Sequence, residues 1–207
     1  MEYNPPGALR NFNPGWCEVC PEESVSFYKP VFDEHVWTSP ENAILIVQSI
    51  ALALSRADPD NAYLYAQNAS GYIEQLITLD TALREVVESG TRNTIIFADR
   101  FPFRYFAYSY GLEYFAAFPG CRDITEPSAA TVAFLINKIN DQNIPVIFHA
   151  EMSDQRLANT IAEATGARVL LLHASHNISR DEFHRGVTYL DLMRQNAEAL
   201  REALKGS

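Results

Sequence analysis

The chain has 207 residues, 47% of them apolar, so it is long enough to bury a sizeable core in one or two domains. Its 26 acidic and 16 basic residues give a formal net charge of −10, which argues against nucleic acid as a partner and favours cations. No run approaches the roughly 18 consecutive apolar residues of a membrane span, and we expect no signal peptide in the first residues, which lack a basic region and an apolar core.

The first 33 residues predict irregular structure, because five prolines interrupt any helical or strand period. Cys17 and Cys20 lie in this segment as a Cys-Glu-Val-Cys pair. Their spacing leaves three alternatives open: a local disulfide, free thiols or a metal site. Cys121 follows a Pro-Gly pair much further along the chain. The cysteines therefore leave the redox compartment open.

Two helices are predicted next. The sequence Ser-Pro-Glu at 39–41 supplies an N-cap and a first-turn proline, and apolar residues then repeat at helical spacing to about Arg56. After the break at 58–60, a longer helix is predicted from about Asn61 to Glu88. At about 1.5 Å per residue, this helix spans roughly 40 Å and is long enough to cross a small domain.

From Thr94 onward, predicted strands alternate with predicted helices, which is typical of a parallel sheet with right-handed crossovers. The predicted strands are 94–97, 113–118, 145–148 and 168–172, and the predicted helices are 101–110, 128–139, 154–165 and 186–204. The predicted fold class is therefore α/β, with a four-stranded parallel sheet lobe of βα repeats preceded by a long linking helix.

Histidine is scarce, with five copies in the chain, yet three of them follow apolar predicted strands. His149 ends the third strand and is followed by Glu151, while His173 and His176 end the fourth. Because the carboxyl ends of parallel strands share one sheet edge, where ligands bind in α/β proteins, we expect these side chains to converge. Imidazole and carboxylate groups suit zinc, manganese or iron. His35, before the first helix, is a further candidate, although any one of these histidines could simply bond to a backbone carbonyl.

The segment 33–43, Asp-Glu-His-Val-Trp-Thr-Ser-Pro-Glu-Asn-Ala, resembles the D-x-H-x-W-x-S-P-x-N-A segment of the zinc and manganese substrate-binding proteins of metal ABC transporters. Further segments follow in that family's order: the long helix, Asp-Arg-Phe-Pro-Phe-Arg-Tyr-Phe at 99–106, Tyr-Gly-Leu at 110–112 and Gly-Val-Thr-Tyr-Leu at 186–190. The resemblance covers the chain from about Asp33 to its end.

The resemblance implies a set of metal ligands. His35 matches the family's histidine ligand from the amino-terminal lobe, and His173 stands where the family usually has an acidic residue. Glu151 matches an acidic residue near the end of the preceding strand. His176 is expected either as a further ligand or as a partner that fixes a ligand's tautomer. The family typically has a histidine or glutamate after the first strand of this lobe, and the chain departs from it there with Asp-Arg at 99–100.

The resemblance also implies a two-lobed organisation of which this chain carries only part. We expect residues 1–60 to hold an irregular segment and the last helix of the amino-terminal lobe, residues 61–90 a long linking helix, and residues 91–207 the carboxyl-terminal α/β lobe. The predicted fold thus includes a remnant of a second lobe, and the chain is expected to be either a fragment or a naturally shortened relative. Apolar surface that the absent lobe would cover predicts self-association.

The implied function is that of an extracytoplasmic metal-binding component of an ABC importer, periplasmic or anchored as a lipoprotein. It would capture zinc, with manganese as the alternative, and deliver it to a membrane permease without catalysing a reaction. Affinity should fall as the histidines protonate near about pH 6. Two alternatives are a zinc-dependent hydrolase with Glu151 as general base, and a truncated structural remnant that binds no metal. The absence of an H-E-x-x-H sequence weighs against the hydrolase.

Overall fold

The fold is given by a computed structural model, which describes residues 33–118 and 127–205. These residues belong to one compact unit. The alternatives for Cys17, Cys20 and Cys121, and the irregular segment predicted for the first residues, lie outside the described residues. The division of the chain at residues 60 and 90 stays a prediction.

Seven α-helices and four β-strands make up the described ranges. The helices are α1 (Pro40–Ala57), α2 (Ala62–Glu88), α3 (Arg104–Tyr110), α4 (Ala129–Gln142), α5 (Arg156–Thr165), α6 (Arg180–His184) and α7 (Tyr189–Leu204). The strands are β1 (Thr94–Arg100), β2 (Glu113–Phe118), β3 (Val146–His149) and β4 (Arg168–Leu171). Two short 3-10 helices, Val36–Thr38 and Pro59–Asn61, precede α1 and α2.

The four strands form one parallel sheet in the order β2-β1-β3-β4, which confirms the predicted α/β class. Ile95, Ile96 and Phe97 in β1, and Ile147 and Phe148 in β3, are all essentially inaccessible. Consecutive residues point to opposite faces of a sheet, so both faces of these central strands must be covered. Strand β2 lies on one side of β1, and β3 and then β4 follow on the other side. In α/β sheets, ligands bind at the carboxyl edge where the strand order changes direction, which is here between β1 and β3.

An ionic network fixes the start of α1 against the rest of the fold. Arg84 in α2 donates to Glu41 in α1 at 2.6 Å and to Asp80 at 2.9 Å. The hydroxyl of Tyr110, in α3, donates to the other oxygen of Asp80 at 2.8 Å. The three helices are thereby joined beside the segment that carries His35.

The helix end that a capping residue marks in the sequence lies where it is predicted, whereas other element boundaries differ from the prediction. Ser128 caps α4 by accepting a hydrogen bond from the backbone N–H of Thr131, as its position predicts. In contrast, β1 continues to Arg100 and α3 begins only at Arg104, because the strand pairs again with β2 after an irregularity beyond Phe97. Helix α6 was not predicted, since five residues carry too short a periodic pattern.

The exposed surface includes apolar side chains at the end of α1 and the start of α2. The large ones are Ile50, Leu52, Leu54, Tyr63 and Leu64. Self-association through such a surface stays a prediction. Within the described ranges, no helix combines the length and apolar character needed to cross a bilayer.

Candidate metal centre

His35 lies in the turn that leads into α1, and its side chain is buried, with the whole residue 2% exposed. Its Nδ1 atom is 2.8 Å from Oδ1 of Asp33, and its backbone N–H donates to the same oxygen at 2.9 Å. Arg104 lies behind this carboxylate, with Nε 3.8 Å from Oδ2. Burial alone raises the pKa of the Asp33 carboxyl, but the His35 hydrogen bonds and the Arg104 charge outweigh burial and hold that pKa below its usual range.

The Asp33 contact sets the tautomer of His35. A carboxylate only accepts hydrogen bonds, so Nδ1 carries the proton and Nε2 holds the lone pair of the neutral ring. Metal-bound histidines in proteins usually have this arrangement, in which a carboxylate orients the ring and increases its basicity. The side chain of His35 is thus prepared to coordinate through Nε2.

His176 lies on the loop between β4 and α6 and is exposed at the surface. Its ring packs edge-on against that of His35, with centroids 5.7 Å apart and an interplanar angle of 83°. Two imidazoles that share a tetrahedral zinc ion, at Zn–N distances of about 2.0–2.1 Å, have centroids about 5 Å apart. The observed separation is therefore close to that of two imidazoles that share an ion.

Trp37 links the segment of His35 to the loop of His176. Its ring lies 5.5 Å from the His35 ring and 6.1 Å from the His176 ring, measured between centroids. Its indole N–H donates to the carbonyl oxygen of Ala174 at 3.0 Å, and its own carbonyl accepts from the Tyr189 hydroxyl at 2.8 Å. The Trp37 indole thereby joins the segment of His35 directly to the loop of His176, and the Trp37 carbonyl joins that segment to α7.

Glu151 lies in a turn beyond β3, since that strand ends at His149. Its Oε2 accepts from the backbone N–H of Ala174 at 2.8 Å, and its Oε1 accepts from those of His176 at 2.9 Å and Asn177 at 3.3 Å. Burial alone raises the pKa of the Glu151 carboxyl, but these backbone hydrogen bonds, with help from nearby His173, hold that pKa below its usual range.

His173 is buried at the start of the same loop, 2% exposed. Its backbone N–H and C=O groups bond to the side chain of Asn196 in α7, at 2.7 Å and 2.8 Å. Its Nδ1 atom accepts a hydrogen bond from the backbone N–H of Ser175 at 2.9 Å and lies 3.7 Å from Oε1 of Glu151. An accepting Nδ1 places the proton of the neutral ring on Nε2, the opposite tautomer to that of His35.

The remaining candidates have local partners. His149 is buried and its Nδ1 is 2.8 Å from the carbonyl oxygen of Ala150, which is the backbone-bonded alternative considered for these histidines. The Asp99 carboxylate accepts from the backbone N–H of Arg100 at 2.8 Å. Both polar groups therefore have local hydrogen-bonding roles at the ends of β3 and β1.

The structure thus brings the rings of His35 and His176 into contact. It also brings the side chains of Glu151 and His173 into contact with the backbone of the loop that carries His176. Across the described ranges, the group of three donor side chains whose ligand atoms all lie within 4.8 Å of one another is Asp33, Glu34 and His35. Asp33 was not among the predicted site residues, although it stands two positions before His35 in the motif itself.

A family model described as "Zinc-uptake complex component A periplasmic" matches residues 8–203. Among curated proteins, the chain is 33% identical over 172 residues to the high-affinity zinc uptake system protein ZnuA of Bacillus subtilis, covering 83% of this chain and 53% of that protein. It is also 33% identical to the zinc-binding lipoprotein AdcA of Streptococcus pneumoniae, covering 83% of this chain and 34% of AdcA. The chain therefore spans about half, or less, of the length of these relatives.

Two solved structures have the same fold. The metal-dependent lipoprotein YcdH of Bacillus subtilis superimposes with a TM-score of 0.74 at 31% identity, over 88% of this chain and 68% of YcdH. The Zn(II)-bound ZnuA-like domain of Streptococcus pneumoniae AdcA gives a TM-score of 0.73 at 31% identity, over 88% of this chain and 68% of that domain. With the match to residues 8–203, these likenesses show that the chain belongs to the family of zinc-uptake component A substrate-binding proteins of ABC transporters.

Proposed function

We propose that this chain captures zinc outside the cytoplasm and delivers it to the membrane permease of an ABC importer, as the resemblance in its sequence implies. The observation that carries the proposal is the pairing of His35 with His176, two imidazoles from distant parts of the sequence held 5.7 Å apart between ring centroids. Relatives named as zinc uptake and zinc-binding proteins support zinc as the cargo.

The donor chemistry also supports zinc over manganese. Imidazole nitrogen suits zinc, whereas manganese is better matched by carboxylate and carbonyl oxygen. His35 supplies Nε2, because Asp33 occupies its Nδ1, and His176 supplies a ring that solvent and ions can reach. Water or further protein donors complete the usual four positions around the ion.

The ligand set predicted from the sequence also contains Glu151 and His173, and that part stays a prediction. The contacts of both side chains favour a role in shaping the loop that carries His176. Both Glu151 oxygens accept backbone hydrogen bonds, and Nδ1 of His173 accepts one as well. At Oε1 of Glu151, which accepts two of these bonds, and at Nδ1 of His173, a metal ion would have to compete with them for lone pairs.

The family supports transport rather than hydrolysis. Its members are metal-binding transport proteins, and the relatives are named for zinc uptake and zinc binding. The family description says "periplasmic", and the AdcA relative is named a lipoprotein, so both support a location outside the cytoplasm for this chain. No observation at the site favours the hydrolase.

Calorimetric titration of the metal-free protein with zinc at about pH 7.5 tests the proposal. We expect a dissociation constant below about 10 μM, which corresponds to roughly −7 kcal/mol, and a large loss of affinity in His35→Ala and in His176→Ala. His184→Ala is the matched control, because His184 is exposed at the end of α6. Binding weaker than that limit, or equal losses in all three variants, would contradict the proposal.

A further inference from the structure

The loop that carries His176 has no regular secondary structure to satisfy its backbone. Residues 172–179 lie between β4 and α6, outside any strand or helix. Ser175 adopts a left-handed conformation with φ of 56°, which an L-residue rarely takes unless its surroundings hold it there. Backbone N–H groups in such a segment need partners other than those that a helix or a strand provides.

Two side chains supply those partners. The backbone N–H groups of four successive residues, 174 to 177, all donate to Glu151 or His173. Glu151 accepts three of them, at 2.8, 2.9 and 3.3 Å, and His173 accepts the fourth, from Ser175, at 2.9 Å. Successive N–H groups that converge in this way form a concave site for an anion, and here the protein's own carboxylate occupies it.

We propose that Glu151 is a positioning residue for zinc capture: its carboxylate shapes the 173–177 loop so that the ring of His176 faces that of His35. This inference rests on the function proposed above. Hydrogen bonds to an ionised acceptor are stronger than those between neutral groups, and the Glu151 side chain is only 8% exposed. One of these bonds holds the backbone of His176 itself, the residue whose ring must be oriented toward His35.

The chemistry of the carboxylate provides the test. Glutamine has nearly the same shape as glutamate, but it replaces one acceptor oxygen with an NH2 group that donates only. Glu151→Gln therefore sets a donor against the converging N–H groups while leaving most packing in place. We expect zinc affinity to fall about 10- to 100-fold, the range seen when groups that orient metal ligands are removed. Glu163→Gln, on the exposed face of α5, is the matched control and should leave affinity unchanged.

A double-mutant cycle separates positioning from direct ligation and from general destabilisation. If Glu151 acts through His176, then Glu151→Gln has little further effect on zinc affinity once His176 has been replaced by alanine. A ligand that binds the ion directly would still cost affinity in that background, and so would a variant that merely loosened the fold. Undiminished losses in the His176→Ala background would overturn the proposal.

A second measurement needs no metal and tests separately whether Glu151 shapes the loop. In NMR spectra of the metal-free protein, the amide protons of Ala174, His176 and Asn177 should shift and exchange faster with solvent in Glu151→Gln, and remain unchanged in Glu163→Gln. Unchanged amides in Glu151→Gln would overturn the inference even if zinc binds. Wild-type protein that binds no zinc, with the amide changes present, would instead overturn the proposed function and leave Glu151 as a shaper of the loop alone.

Discussion

The Nδ1 atom of His35 lies 2.8 Å from Oδ1 of Asp33, and both side chains are buried. The two residues are two positions apart in sequence, so the bond closes within one turn of the chain. It fixes both the orientation and the tautomer of the imidazole before an ion arrives. The position of Arg104 beside the same carboxylate supports its ionised state.

Replacing Asp33 should weaken zinc binding without removing a ligand. In Asp33→Asn the amide still offers an oxygen, but the negative charge that orients the His35 ring and increases its basicity as a ligand is lost. We expect affinity to fall about 10-fold to 100-fold by calorimetry. Asp60→Asn is the control, because Asp60 is exposed and lies outside the group formed by Asp33, Glu34 and His35. Glu34→Gln is measured beside them, and an equal loss in that variant would mean that the acidic pair itself binds the ion.

The hydrogen bonds between Asn196 and His173 predict a large effect on stability. Asn196 is 1% exposed and satisfies both backbone polar groups of His173. Asn196→Leu keeps the branched side-chain skeleton of four heavy atoms but leaves a buried N–H and a buried C=O without these partners. We expect the free energy of unfolding to fall by roughly 2 to 4 kcal/mol in urea titrations.

Gln195→Leu is the control for that experiment, since Gln195 is exposed on the same helix. Its effect should stay within about 0.5 kcal/mol. If both variants lose the same free energy, leucine in α7 rather than the bond to His173 explains the loss.

The local parts of this structure could be predicted from sequence because their causes are local. Ser128 marks the start of α4 through its own side chain, and the apolar runs of β1 and β3 indicate strands buried on both faces. The metal site is different. Resemblance to a known motif indicates His35, but its contact with His176 depends on the path of a loop.

That path is set by Glu151 from another part of the chain and by a left-handed residue, Ser175, whose conformation no sequence pattern signals. Strand periodicity predicts that Glu151 and His149 lie on the same face of the sheet if the strand continues beyond His149. The strand instead ends at His149, and the carboxylate turns toward the next loop.

Trp37 should report the state of the site through its fluorescence. Its ring packs against both histidines, so zinc binding will change its environment. The chain has two tryptophans, so the measurement needs a Trp16→Phe background. We expect a saturable change in emission with the same midpoint as calorimetry. His176→Ala should shift that midpoint to higher zinc, whereas His184→Ala should not.

Alkaline stability should depend on Tyr110. The residue is 6% exposed and its hydroxyl donates to Asp80 at 2.8 Å. Burial, together with the charge and hydrogen bond of Asp80, raises the pKa of Tyr110 well above its usual range. In the unfolded chain the phenol ionises near about pH 10, so the unfolded state binds fewer protons than the folded state above that pH. The stabilising contribution is therefore fully present below about pH 10 and is lost as the pH rises further.

Urea unfolding between about pH 8 and pH 11.5 measures this contribution, with a slope of at most about 1.4 kcal/mol per pH unit from a single group. Tyr110→Phe should lose about 1 kcal/mol at the lower pH, because the bond to Asp80 is gone, and should then decline less steeply than wild type. Tyr63→Phe is the control, since Tyr63 is 81% exposed. A Tyr110→Phe curve parallel to wild type would show that the alkaline loss comes from other groups, because the phenol would then contribute no difference in proton binding between the folded and unfolded chains.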